Sequence, residues 1–543
     1  MQTITENRRA VFTEKCLEIL CAVLLLVTLG VFSYANIARY TAHMDADIAG
    51  EAALAKEVAR NRMRTPSTWY ASTEKRVIAP ANIAAVFYMI TSNMNLSMGL
   101  ACNLCLWILV AVMGVYYRKM GMRGAVFWAT LELPLVITVN LNSALEMYAL
   151  YAGYYIPVFI GMYVSLFWYY VCRTRAMKSA DAGTIALKKQ YILYALPVIV
   201  AVLLGLQGMR GVLMVLLPLM AVESIRAICA RMKDRSTESP KPDKLSFFQE
   251  GRMTAFLVIC TVSSYLIARL STNGLTETSR NLRHAPEKFM NEVLPAIGQL
   301  FTPQVNPVYV GCVAIIMVAG IMFPLIVLRL QLKKTETDAA WAILPLTVSV
   351  FVMVAAMTLT TTDVAPRYAV MVFFAAAGGY GLLLQHLYEA GNRYRRMRYA
   401  VVFPVIVCAV ISIGYNWNHL ICPDTTQEDT YAQIADTMVA HNVTKGYATF
   451  DWANTITVVS NDTVQVRPVN NMKDLEGAKW LANATWYPPY ADAGQKVFYI
   501  TTSYTDDMFM DSARDRNIQI LETIRINDFI LYMTDIDYTV WKE

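Results

Sequence analysis

The chain has 543 residues, 56% of them hydrophobic and only 16% charged, with a net charge of +6. Apolar residues gathered into runs near the ~20 that a helix needs to cross a bilayer exclude an ordinary soluble protein. The positive charge is spread over the segments between those runs, which excludes the clustered basic face of a nucleic-acid binder.

The first apolar run, 16–38, follows Arg8, Arg9 and Lys15 as a secretory signal would. It is too long for a signal core and lacks a convincing cleavage site, so a retained signal anchor is expected. In the next segment, 39–95, Ile48, Ala52, Ala55 and Ala59 recur at helical spacing, with Glu51, Lys56, Glu57 and Arg60 on other faces. That pattern predicts a helix lying on the outer membrane surface. Asp47, at its start, has a structural reading as the N-cap, which accepts hydrogen bonds from the first unpaired backbone N–H groups.

Further spans are expected at 96–117, 124–141, 149–171, 191–206, 211–229, 253–271, 307–328, 341–360, 366–387 and 399–418, about eleven in all. Cys102 and Cys105 lie inside an apolar run and read as buried packing, and the ten cysteines suggest no disulfide framework. Glu132 falls near the middle of the third span, where a carboxylate is costly unless neutral or paired. It is either bonded inside the bundle, near the Pro134 break, or functional. Glu146, beside Asn140 and Asn142, reads as a loop carboxylate or a second active-site acid.

Tyr116 with Tyr117, Tyr154 with Tyr155, and Trp168 to Tyr170 read as interfacial aromatic belts. The stretch from Tyr191 to Ile228 is too long for one helix, so it must turn back at 205–211, which carries Arg210 to the outer surface. The polar segment from Ser236 to Lys244 reads as a linker, and Arg280, Arg283, His284 and Lys288 in the loop 272–306 as a solvated face.

With the N-terminus cytoplasmic, the inside loops hold Arg118, Lys119 and Arg123, then Arg173, Arg175 and Lys178, then Arg231 and Lys233, then Arg329 and Lys333, then Arg395, Arg396 and Arg398. All are basic, as the positive-inside rule requires. The segment 39–95, the loop 272–306 and everything from 419 onward then lie outside. From Pro423 short alternating elements replace the long runs: a helix at 428–441, strands at 446–450, 464–469, 496–501 and 529–534, and helices near 473–483 and 505–516. The expected organisation is a membrane domain over 1–418 and a small extracytoplasmic α/β domain over 419–543.

Asp47 is followed eight positions later by Ala55-Lys56-Glu57-Val58, and then by Pro66, Trp69, Tyr70 and Glu74-Lys75. This loop resembles the first external loop of GT-C glycosyltransferases, especially the lipid A aminoarabinose transferase and protein O-mannosyltransferase group. There an acidic residue after the first span precedes a helix ending in Ala-Lys/Arg-Glu-hydrophobic. The Pro-Pro pair of that group is absent here, with Arg76-Val77-Ile78 in its place. Pro366-Arg367-Tyr368 is similar to the Arg-Tyr element before a late span in the same group, and Gly446 to Phe450 with Asn454 to Thr457 looks like an appended extracytoplasmic domain.

The resemblance implies a polytopic α-helical GT-C-like fold and inverting transfer of a sugar from a polyprenyl-phosphate donor to a lipid, polymer or protein acceptor on the outer face of the cell membrane. An acceptor hydroxyl needs a carboxylate base, for which Asp47 is the first choice and Asp45 the rival. The departing lipid phosphate needs cations, for which Lys75, Arg76, Arg210 and Arg367 are the candidates, and Glu132 and Glu146 are possible additional acids. Five scattered histidines lack partners at ligand spacing and Asp45-Ala46-Asp47 is only a short D-x-D, so neither a metal nor a cofactor is expected. The alternative, a transporter or lipid flippase, calls for broken helices at matching places, inverted repeats and several midplane charges; the sequence has no clear repeat and a single deep carboxylate, Glu132.

Overall fold

The computed structural model describes residues 2–72, 79–138, 149–150, 153–181, 187–236, 244–271, 284–301, 305–331, 338–361, 364–390 and 394–542. Long helices account for most of them: α1 (Gln2–Ala38), α2 (Ala46–Arg60), α3 (Pro80–Thr91), α4 (Met94–Lys119), α5 (Gly124–Val136), α6 (Ile156–Asp181) and α7 (Leu187–Gly205). A short turn, Met209–Gly211, and a π-helical segment, Val212–Leu216, lead into α8 (Leu217–Ser236). Then follow α9 (Lys244–Ser271), α10 (Pro307–Gln331), α11 (Asp338–Leu359), α12 (Met371–Glu389) and α13 (Arg395–Asn416). Among the described residues nine helices are long and apolar enough to cross a membrane, with 124–136 and 195–205 as shorter apolar helices. Each of the expected spans overlaps a helix among the described residues, and the chain is a multi-pass membrane protein.

Small residues decide which helix lies deepest. The run Ala375-Ala376-Ala377-Gly378-Gly379 on α12 lets neighbouring backbones come close, so most of this helix is buried. A Cβ on Gly379 would fall 1.7 Å from the Gly320 carbonyl oxygen of α10, which leaves room only for hydrogen. Tyr116 and Tyr117 on α4, with Trp168 and Tyr169 on α6, are buried in the same core, not set in interfacial belts as expected from the sequence. Tyr116 donates to the Ala342 carbonyl at 3.0 Å, and the Tyr117 and Tyr163 hydroxyls meet at 2.9 Å, so these rings bring their polar ends to partners inside the bundle. Cys102 and Cys105 pack in the buried face of α4.

Two carboxylates sit inside the bundle. Glu132 is 1% exposed and accepts a bond from Thr28 Oγ1 at 3.1 Å, joining α5 to α1. Glu223 of α8, which the sequence reading passed over, is completely buried, ion-pairs with Arg173 of α6 and accepts from Tyr169 at 2.7 Å. A basic residue assigned to a cytoplasmic loop is thus drawn back into the core by a carboxylate on another helix. Replacing Glu223 with Gln is expected to lower stability by about 1–3 kcal/mol, because a neutral amide is a poorer partner for a buried guanidinium. Thermal unfolding in detergent measures this, and adding Arg173→Met to the variant should recover most of the loss.

The C-terminal domain holds a five-stranded sheet in the order β3-β2-β5-β7-β6. β2 (Lys445–Thr449) lies parallel to both β3 (Gln465–Val469) and β5 (Val497–Thr502), while β7 (Phe529–Thr534) runs antiparallel to β5 and β6 (Ile520–Ile526). The helices α14 (Thr426–Ala440), α15 (Phe450–Val459) and α16 (Asp506–Asp515) complete it. Three features depart from the sequence expectation. Residues 473–483 form turns and the short β4 (Ala482–Asn483), not a helix. Their Gly477 is pressed against Tyr487 and Trp541, where a Cβ would come within 2.9 Å of both rings. β6 was unseen because it is an edge strand, mostly exposed, whose apolar alternation is weak. α15 is rich in Thr and Val, poor helix formers, and tertiary burial of Ala453 to Val458 overrides that tendency.

Candidate functional site

The helix α2, expected on the outer membrane surface, is covered by protein. Gly50, Ala49, Ala52 and Ala55 are buried, as are Glu51 and Lys56, because α2 is held between α3 and α4 of the bundle and α15 of the C-terminal domain. A Cβ on Gly50 would sit 2.7 Å from the Leu481 side chain, so glycine is what permits the domain to come this close.

The Ala55-Lys56-Glu57-Val58 stretch forms the contact with the domain. Lys56, 3% exposed, ion-pairs with Asp462. Burial lowers its ammonium, and the Asp462 carboxylate acts against that. Glu57 accepts from Asn483 Nδ2 at 3.0 Å. Arg467, stacked 3.9 Å from the Trp486 ring, is lowered by burial and raised by Asp462 and Glu57. β1 (Trp69–Tyr70), later in the same loop, pairs antiparallel with β4. Trp69 meets Trp486 edge-on at 5.6 Å and Tyr70 meets Trp541 at 5.1 Å. At the start of α4, Met94 N–H donates to Asn461 at 3.0 Å and Asn95 to the Val458 carbonyl at 2.9 Å. No spacing in the sequence pointed to Asp462, since its partner Lys56 lies some four hundred residues away.

The N-terminal end of α2 faces a different environment. Its cap is Asp45, which accepts from Ile48 N–H at 2.7 Å; Asp47, given that structural reading from the sequence, lies in the first turn. Asp45 is open to solvent, yet surrounding protein desolvates its carboxyl and raises it above the usual carboxylate range. Asp47 adds to the rise, while the bonds to backbone N–H groups and the nearby Arg367 guanidinium oppose it. The Asp47 carboxylate is half-buried and, among the described residues, has neither a hydrogen bond nor an ion pair.

The surroundings of this pair are aromatic and basic. Tyr40 is 2% exposed, and its hydroxyl is raised by burial first and then by Cys102, Tyr154 and Asp45. Burial also lowers the His43 imidazole. Tyr155, next in sequence to Tyr154, lies under the Arg210 guanidinium, 4.9 Å from ring centre to carbon. Arg210 rides on the turn that returns the chain after α7, where Gly208 takes a φ of +93° that a side chain would resist. Arg367 lies on the 3-10 turn Pro366–Val370 that opens α12. Reading Tyr154 and Tyr155 as belt residues therefore missed that both are buried, Tyr154 within the influence of Tyr40 and Tyr155 under Arg210. The segment from Thr41 is also anchored from the far end of the chain: Thr41 bonds the Glu428 carboxylate, and Arg39 donates to the Ile421 carbonyl at 3.1 Å.

Of the sequence candidates, Asp45, Asp47 and Arg367 thus come together, while Arg210 lies over the Tyr155 ring. Lys75, Arg76 and Glu146 lie outside the described residues, as do Arg280 and Arg283. Glu132 serves the α1–α5 contact. Lys288, expected on a solvated face, is buried and donates to the Thr360 carbonyl at 2.8 Å, which holds the short helices of 285–301 against the end of α11. Among the described residues no group of three His, Cys, Asp or Glu side chains gathers as a metal site would. An apolar groove of about 320 Å³ opens between α10, α11 and α12, lined by Met317, Ile321, Met353, Met357, Met371 and Val372. Ala369, in the turn that carries Arg367, forms part of its wall.

No protein-family model and no curated protein matches the chain. Solved structures do. ArnT from Cupriavidus metallidurans in the apo state superposes with a TM-score of 0.54 at 12% sequence identity, covering 95% of this chain and 97% of that one. The same protein bound to undecaprenyl phosphate gives 0.52, with the same identity and coverage. The chain therefore has the fold of ArnT, a lipid A aminoarabinose transferase of the GT-C type, over nearly its whole length.

Proposed function

We propose that the chain is an integral membrane glycosyltransferase that moves a sugar, with inversion, from a polyprenyl-phosphate donor to an acceptor on the outer face. The observation that carries this reading is the Asp47 carboxylate: half-buried, unpartnered in the protein, and next to a second carboxylate within the influence of Arg367. That the structural relative binds undecaprenyl phosphate supports the donor class. In the reaction, Asp47 takes the proton of the acceptor hydroxyl as its oxygen attacks the anomeric carbon from the face opposite the phosphate. The bond between that carbon and the phosphate oxygen breaks, and the electron pair leaves with the lipid phosphate. Arg367 and Arg210, with Lys75 and Arg76, neutralise the charge that grows there. Asp45, already committed to capping α2, holds the helix terminus and not the proton.

The isoprenoid tail takes the apolar groove between α10, α11 and α12, which starts beside Arg367 and ends among lipid-facing residues such as Val318 and Phe351. The N-terminus is cytoplasmic, and the C-terminal domain stands on the extracytoplasmic side with the site. Acceptor and sugar follow from one experiment: the masses of envelope glycans from a deletion strain complemented with the wild-type chain or with Asp47→Asn. Restoration by the first alone supports the reading; restoration by both rejects it.

Donor binding is separately testable. Arg367→Met is expected to weaken retention of undecaprenyl phosphate about ten- to a hundredfold, since a charge-assisted bond contributes about 1.5–3 kcal/mol. Met353→Trp, which fills the groove, should raise the KM for the lipid donor while leaving kcat close to wild type. Binding to the purified protein measures the first and steady-state transfer the second.

A further inference from the structure

At the end of the bundle opposite α2, a second cavity of about 240 Å³ lies between the N-terminal part of α1, the start of α5, the end of α12 and the start of α13. Its position follows from helix length. Glu18 and Ala38 are twenty residues apart on the same helix, about 30 Å at 1.5 Å per residue, which is the thickness of the hydrocarbon layer. The cavity therefore lies at the headgroup level of the leaflet away from the candidate active site.

Four charged side chains line it: Glu14, Lys15, Glu18 and Arg398. Arg398 donates to Glu14 at 3.1 Å and lies over the Tyr388 ring at 5.1 Å, so these two charges neutralise each other. Among the described residues neither Lys15 nor Glu18 has a hydrogen bond or an ion pair. The solvent-exposed Lys15 and the half-buried Glu18 thus bring one cation and one anion to the cavity from the same helix, three residues apart and so on one face. Leu17, Val126, Leu384 and Val402 supply an apolar wall. Gly124, another lining residue, has a φ of +57° that favours glycine and lies next to the Glu18 carboxylate.

An anion alone would meet Glu18, and a cation alone would meet Lys15. A ligand bearing both charges a few ångströms apart, on an apolar stem, satisfies the cavity. We infer that it holds the headgroup of an aminophospholipid from the facing leaflet, the phosphodiester against Lys15 and the primary ammonium against Glu18. The pairing with Glu18 sets the preference for that headgroup. This inference stands apart from the sugar-transfer reading, since it uses no residue of that site.

The test uses the purified full-length chain, delipidated in detergent and offered phosphatidylethanolamine or phosphatidylglycerol with identical acyl chains, with bound lipid counted by native mass spectrometry. The wild type is expected to retain the ethanolamine lipid at least fivefold better. Glu18→Gln should bring that ratio near one, and Lys15→Gln should reduce retention of both lipids. Phosphatidylcholine, whose quaternary ammonium has no N–H to donate, should be retained by the wild type no better than phosphatidylglycerol; this arm needs no variant. Equal retention of the ethanolamine and glycerol lipids by the wild type, or an unchanged preference in Glu18→Gln, would overturn the assignment.

Discussion

Asp47→Asn is expected to lower sugar transfer by about 10²- to 10⁴-fold, the usual contribution of a positioned general base, with little change in thermal stability. The amide is nearly the size of the carboxylate but cannot take a proton, and the carboxylate it replaces makes no bond that holds the fold together. Asp45→Asn provides the contrast. Asn is as good an N-cap as Asp, so the bond to Ile48 N–H survives and activity should fall only a few-fold. Asp45→Ala should cost about 1 kcal/mol of stability through the lost cap. If Asp45→Asn proves the more damaging variant for transfer, the two roles are reversed. If neither matters, the base lies elsewhere.

The second large effect is expected at the contact between α2 and the C-terminal domain. Asp462→Ala leaves the Lys56 ammonium buried beside Arg467 without its carboxylate, and breaking such a pair costs about 3–5 kcal/mol. The bundle should stay folded, because its own core does not involve Asp462. The domain should instead loosen from α2, seen as faster proteolytic release of a fragment beginning near Pro423 and as lower transfer. The double variant Lys56→Met/Asp462→Leu should regain much of the docking, because it removes both charges together. Continued loose docking in the double variant would mean that the pair aligns the surfaces and does not merely neutralise itself.

The membrane helices were legible because one physical variable decides them. Apolar runs located the helices, and α7 with its returning partner was recognised because Tyr191 to Ile228 exceeds one bilayer crossing. What the sequence concealed was which faces meet. A tyrosine beside basic residues reads as interfacial, yet Tyr116 and Tyr117 found partners in other helices. Glu223 hid near the polar end of its helix, and only the fold brings it to Arg173.

The candidate site was half legible for the same reason. Asp45 and Asp47 are neighbours in sequence, so their grouping needed no fold, and Arg367 joined them by motif. Lys56 and Glu57 were singled out in the same stretch, but they face Asp462 and Asn483, far along the chain. Local pattern reveals a residue's chemistry; it reveals the partner only when that partner is local too.

The ribbon formed by Trp69–Tyr70 with Ala482–Asn483 has a consequence for biosynthesis. The early segment is synthesised while its seat is still untranslated, and some four hundred residues must follow before the second strand of that ribbon is made. Until then α2 lacks the surface that fixes its orientation, so a stalled or truncated nascent chain presents the two aspartates without holding them in place. Competence is conferred on the amino-terminal segment by a part of the polypeptide made much later.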